Sequence, residues 1–207
     1  MFRYTARQLS VGSADGIRIP VRVTGEGRPL VVCPSSSGGT GDWWAFADLV
    51  APHVTTWVVG RRPPGDDVGE RHEVADLAAV LDAAGPDAVL LGHADGGLLA
   101  WDVATRRRLA GLVLYEPAPV PDIPRAGTAT LLVAGELGAT RPMRATGPAS
   151  VVELGGQARD AHIADPLVVA YAVLPFVRSL ALVPPSNVCH DRVVRLKSVT
   201  CVEGVAG

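Results

Sequence analysis

The chain has 207 residues, 48% of them hydrophobic and 19% charged, with a formal net charge of -2. That composition excludes a disordered or fibrous protein and is enough for one sizeable core, and so near-neutral a chain has no electrostatic reason to bind nucleic acid or an anionic membrane. The three cysteines, Cys33, Cys189 and Cys201, have no metal-ligand spacing, and no signal peptide or apolar run of membrane length occurs, so a reduced, cytoplasmic protein without metal or cofactor is the expectation. Heavy use of Ala, Val, Gly, Pro and Arg points to a GC-rich bacterial source.

In chain order, Ile17 to Val23 alternates as an edge-type antiparallel strand, the setting that tolerates Pro20. Leu30 to Cys33, Thr55 to Val59 and Asp87 to Leu91 are short apolar runs suited to a parallel sheet covered on both faces. Asp42 to Val50 and Glu70 to Ala84 have helical spacing, with Asp42 read as an N-cap and Gly85-Pro86 as a stop. Alternation of this kind implies βαβ units with ligands at the carboxyl ends of the strands. Arg106-Arg107-Arg108 reads as a solvated helix end, where cations complement the dipole. Residues 192–202 read as a further strand.

The most informative segment is Asp87 to Ala100: an apolar strand, a Gly-rich turn and a helix. That is the setting of the G-x-S-x-G nucleophile elbow, with Gly92 and Gly96 in place and Ala94 between them. A methyl group cannot attack a carbonyl.

Here the chain resembles the α/β-hydrolase family, from about Gly16 to about Val177. Gly92-His-Ala-Asp-Gly-Gly97 is similar to the family's Gly-His-Ser-x-Gly-Gly. Residues 61–67 resemble an Arg-rich, Gly-Asp turn after the fourth strand, and residues 112–117 and 131–136 resemble the sixth and seventh strands. Residues 151–156, followed by Asp165-Pro166, resemble the last strand and the start of the final helix. The resemblance implies an α/β fold with a mostly parallel eight-stranded sheet and helices on both faces. A domain over 1–181 would carry it, with 182–207 as a C-terminal extension that nothing in the family matches. The Pro-rich connector Ala118 to Thr128 leaves no room for a cap domain between strands six and seven, so the cleft should lie open.

The resemblance also places the other two triad positions. The family's aspartate would fall at Gly138, and its histidine, seven residues before Pro166, at Arg159. Losing the nucleophile or base of such a triad costs roughly a millionfold in turnover and leaves about 10³–10⁴ over water. Conventional serine-hydrolase chemistry is therefore excluded.

Asp95, His162 and Asp160 are the remaining acid–base candidates. Asp95 is disfavoured as the elbow nucleophile, because His93 would then occupy a position that needs a small residue. His93, His162 and Glu116 also have family counterparts that only pack or hydrogen-bond, and Cys33 and Trp101 read as core. Ser35, Ser36, Ser37 and Gly38, with the helix N-terminus after Ala94, could cradle a carbonyl or enolate oxygen. Of Trp43 and Trp44, one is expected in the core and the other at the cleft mouth.

Three functions fit. The first is a non-hydrolytic cyclase, isomerase or lyase acting on a carbonyl-rich, polyketide-like metabolite of bacterial secondary metabolism. The second is a small-molecule or protein binding module, and the third a residual hydrolase with relocated groups. The extension could fold over the cleft, add to the sheet, form a homodimer or stay disordered.

Overall fold

A computed structural model of the chain describes residues 4–62, 70–118, 128–138, 149–180 and 193–196. Nine strands form one sheet in the order β1-β2-β4-β3-β5-β6-β7-β8-β9. They are β1 (Arg7–Gly12), β2 (Arg18–Gly25), β3 (Arg28–Cys33), β4 (Val54–Val59), β5 (Val89–His93), β6 (Gly111–Tyr115), β7 (Thr130–Gly135), β8 (Ala149–Leu154) and β9 (Val193–Leu196). The first two pairings, β1 with β2 and β2 with β4, are antiparallel, and all the others are parallel.

The central strands are apolar throughout because helices cover both faces. Alternate residues point to opposite sides. Val31, Leu90 and Leu112 pack with Leu77 and Leu81 of α2 (Glu70–Ala84) and Val103 of α3 (Asp95–Arg106). Val32, Leu91 and Val113 pack with Phe46 of α1 (Trp44–Val50) and with Val169 and Val173 of α5 (Pro166–Ser179). Pro166 opens α5 at its first turn, where a missing N–H costs nothing. Gly85, at φ +106, ends α2 where a left-handed residue is needed.

Two features differ from the sequence reading, and a third picks out one of the alternatives it left open. The strand holding Pro20 is not at the edge, because β1 lies outside it, with Ser10 opposite Pro20. Pro20 is tolerated for another reason. Its carbonyl accepts from Gly60 N at 2.8 Å, just past Val59, the last β4 residue paired with β2, so its missing donor falls where the ladder has ended. Asp42 is not an N-cap. It lies in a 3-10 turn, Thr40–Trp43, and its carboxylate reaches back to accept from Gly39 N at 3.0 Å. The extension contributes β9, parallel to β8, as a ninth strand.

Residues 116–129 separate β6 from β7, and no cap domain is evident there, 119–127 being outside the described residues. The later part of the Arg-rich turn, and the extension apart from β9, also lie outside them, as do Cys189 and Cys201.

The strand order reverses at β3, which has β4 on one side and β5 on the other. In open α/β sheets, ligand-binding crevices form at such a switch point, outside the carboxyl ends of the strands. The loops leaving β3 and β5 therefore lie side by side, with Cys33 paired to Gly92.

Candidate active site at the strand switch point

β5 runs straight into Ala94, whose backbone takes φ 52 and ψ -118 before α3 begins at Asp95. A non-glycine residue in that region costs on the order of 1–3 kcal/mol and persists only where its surroundings hold it. They do so here. Ala94 N donates to Tyr115 O at 3.1 Å, and Ala94 O accepts from Ala118 N at 3.0 Å. A Cβ on Gly92 would lie 2.6 Å from Ala100 Cβ, and one on Gly96 would lie 2.5 Å from the carbonyl oxygens of Cys33 and Pro34. Only glycine fits on either side of the turn. The elbow is thus fully formed, and a methyl group, 3% exposed, stands at its apex.

The β3 loop does form an anion cradle, and its anion is internal. Asp95 accepts from Ser35 Oγ at 2.6 Å, from Ser36 N at 3.1 Å and from Arg61. Ser37 Oγ lies 2.9 Å from Ser35 Oγ, and Gly38 N donates to Ser35 O at 3.2 Å, which folds the loop onto this carboxylate. Arg61 also holds Glu73 at 2.6 Å. Burial pushes the Asp95 carboxyl up, but the bonds from Ser35, Ser36 and Arg61 outweigh it and hold the group at about 2. Asp95 is therefore a fixed carboxylate, too weak a base to take protons near neutrality. Arg61 and Glu73 also line a small pocket of about 20 Å³, together with Cys33 and Leu99 among others. It is of the order of one water.

On the α1–α5 face, four rings meet. His93, the last residue of β5, stacks on Tyr115 with centroids 4.9 Å apart, and His162 stacks on Trp43 at 4.4 Å. The two imidazoles are 4.5 Å apart, centroid to centroid. His162 sits in a short helix, α4 (Ala161–Ala164), anchored through Tyr115: its hydroxyl donates to Arg159 O at 2.8 Å and accepts from His162 N at 3.3 Å. His93 and His162 are 4% and 2% exposed, while Asp160, immediately before α4, is exposed. One ligand-capable atom from each of the three lies within 4.8 Å of the others. His93 Nε2 and His162 Nδ1 are buried without a hydrogen-bond partner among the described residues. Burial pushes both imidazoles down, His93 to about 4 with His162 nearby adding to the effect, so both are neutral at physiological pH.

The structure thus brings Asp160 and His162 together with His93, and holds Asp95 apart in the serine loop. The Ser35 hydroxyl and the Ser36 N–H are taken up by Asp95, while Ser37 bonds to Ser35. Trp43 is the core tryptophan, while Trp44 is 46% exposed with the Arg22 guanidinium 5.1 Å from its ring centroid. Gly138, where an acid would fall, has a physical reason to be glycine: a Cβ there would lie 2.5 Å from the Glu116 carboxylate. Glu116, at φ 44 and buried, accepts from Gly135 N and so ties the end of β6 to β7. At Arg159 it is the backbone carbonyl that is used, by Tyr115. Sequence reading missed the part of Arg61, although its place after β4, across the switch point from Asp95, was the available signal.

Comparison with solved structures agrees with this geometry. A thermophilic esterase from Thermogutta terrifontis superposes with a TM-score of 0.68 at 16% identity, covering 84% of this chain and 99% of that one. The esterase RhEst1 from Rhodococcus sp. ECU1013 gives 0.67 at 18%, covering 84% and 99%. The epoxide hydrolase CorEH gives 0.70 at 12%, covering 85% and 100%. The chain has the α/β-hydrolase fold. Identities this low establish the fold alone. No protein-family model and no curated protein sequence matches the chain. Within this fold, the turn at Ala94 follows β5 beside the serine loop that leaves β3, and the paired imidazoles lie on the α1–α5 face. No helix among the described residues is long and apolar enough to cross a membrane.

Proposed function

We propose that this chain is a catalytically degenerate α/β-hydrolase homologue that works without hydrolysis, as a cyclase, isomerase or lyase on a carbonyl-rich, polyketide-like small molecule in the cytoplasm. The observation that carries the reading is Ala94: the strained elbow is retained in full, and its apex bears no nucleophile. The Asp95 carboxylate supports it, because it takes the Ser35 hydroxyl and Ser36 N–H that would otherwise face a developing oxyanion. A tetrahedral intermediate would form against a fixed negative charge, which opposes acyl transfer. Non-covalent chemistry is not opposed in this way. Holding reacting atoms in a near-attack arrangement supplies several kcal/mol without any triad. The convergence of His93, Asp160 and His162 beside the elbow supports this reading, with these groups as its acid–base candidates.

A second reading, a small-molecule binding module, is favoured by one observation: two of those three groups are buried away from solvent. Incubating substoichiometric protein with metabolite extract from its source, followed by mass spectrometry, separates the readings. Conversion of a compound in many-fold excess to an isomer of unchanged mass, or its cleavage without uptake of water, supports the enzyme. Retention of about one compound per chain with nothing converted makes it a binding protein. Turnover with gain of one water overturns both and restores hydrolysis.

A further inference from the structure

Two neutral imidazoles with orphaned ring nitrogens, buried side by side, need explaining. A buried polar atom without a partner is costly, and most such atoms in folded proteins are satisfied. His93 Nε2 and His162 Nδ1 both go without. A proton shared between the rings would satisfy one donor–acceptor pair, yet no such bond joins them. The third neighbour is a carboxylate, Asp160, on the solvent side. Two ring nitrogens and one carboxylate oxygen are the donor set of divalent transition metals of the zinc type, whereas magnesium and calcium prefer oxygen alone.

We infer that His93, His162 and Asp160 bind a single zinc-like divalent ion, with the imidazoles as buried ligands and Asp160 closing the site from the surface. The ring positions suit the role. Tyr115 stacked on His93 and Trp43 stacked on His162 fix both imidazoles before any ion arrives, which lowers the cost of ordering ligands. Metal–nitrogen bonds of about 2.0–2.1 Å hold tetrahedral ligand atoms about 3.4 Å apart, so atoms within 4.8 Å of one another must draw together by up to roughly 1.4 Å, and exposed Asp160 is the residue freest to move. Three protein ligands leave a coordination position open, and an ion there would polarise a carbonyl oxygen as a Lewis acid. The inference therefore deepens the enzyme reading, and rests on it for that role alone. The site itself rests on geometry.

The test uses the full chain, stripped with a chelator and titrated with Co²⁺ alone, followed by visible d–d absorption and by competition with Zn²⁺. The expected result is one Co²⁺ per chain, displaced by Zn²⁺, with a rise in Tm on binding. Asp160→Asn removes a direct ligand and should weaken affinity by at least the roughly 10- to 100-fold typical of losing an outer-sphere partner, while leaving the Tm of the metal-free protein unchanged, since the side chain is exposed. His162→Gln should abolish binding; if that variant fails to fold, Asp160→Asn decides alone. Absence of stoichiometric binding, or binding untouched by Asp160→Asn, overturns the site. Metal binding without turnover of any metabolite supports the site and removes the enzyme reading. Turnover by a chain that binds no Co²⁺ overturns the site and leaves that reading standing.

Discussion

At residue 94 the backbone and the side chain give opposite signals. The backbone holds the strained elbow geometry, and the side chain is a methyl. Triad members act as a unit, so one restored member recovers little. Ala94→Ser should therefore leave hydrolysis of an activated ester within about tenfold of the parent protein, measured by release of p-nitrophenol; a gain of several orders of magnitude would show that a competent base is in reach. Gly138→Asp should fail for a steric and electrostatic reason, because the new side chain would run into the buried Glu116 carboxylate. A loss of about 2–3 kcal/mol in urea unfolding is expected, with no gain in activity. Burial pushes the Cys33 thiol up to about 12. At pH 8, well below that value, its thiolate is about one part in 10⁴, so iodoacetamide should spare Cys33 in the native chain and label it in urea, as peptide mapping would show. Labelling in the native protein would contradict the buried position.

At the scale of elements, the piece that joins the two halves of the site is Tyr115 at the end of β6. Its hydroxyl connects Arg159 O and His162 N, and so docks α4 against the sheet. Tyr115→Phe leaves a carbonyl and an N–H short of a partner and should cost about 1–3 kcal/mol, read by denaturant unfolding. An unchanged midpoint would mean that α4 is held by packing alone. The elbow was legible in the sequence because Gly92 and Gly96 are dictated by contacts under 3 Å, which leave a permanent trace in residue type. The first strand was not. Residues 7–12 are exposed along almost their whole length, so burial imposed no alternating pattern on them. Pro20 misled for a related reason: it marks where a ladder ends, and an edge strand gives the same signal. Asp42 reads as the cap in the sequence, but the chain enters its helix through a 3-10 turn that moves the cap to Gly39 and leaves Asp42 in the first turn.

Across the whole molecule, the fold could be read from five motifs in family order, whereas the candidate site could not. His93 and the Asp160–His162 pair lie far apart in the chain and show no ligand spacing. They meet only because β5 ends and α4 begins on the same face of the sheet. The Asp95–Arg61 pair is likewise made by the strand switch at β3, and it turns a loop expected to offer free donors into one that is already filled. The extension also acts at this scale. β9 pairs along β8, so it covers an edge that would otherwise present unpaired N–H and C=O groups. A chain ending at residue 180 should associate or precipitate where the full chain does not, as light scattering on a sizing column would report. Equal behaviour of the two would show that β9 does not protect the edge.

A complete elbow put to non-hydrolytic use, as proposed above, adds no water to what it converts. Incubating the protein in ¹⁸O-labelled water with its source metabolites and a panel of esters, amides and epoxides, and following the label by mass spectrometry, tests this. Products should carry no ¹⁸O in a carboxylate or diol beyond the protein-free control. Multiple-turnover appearance of ¹⁸O-labelled carboxylate, dependent on the protein, would contradict that use.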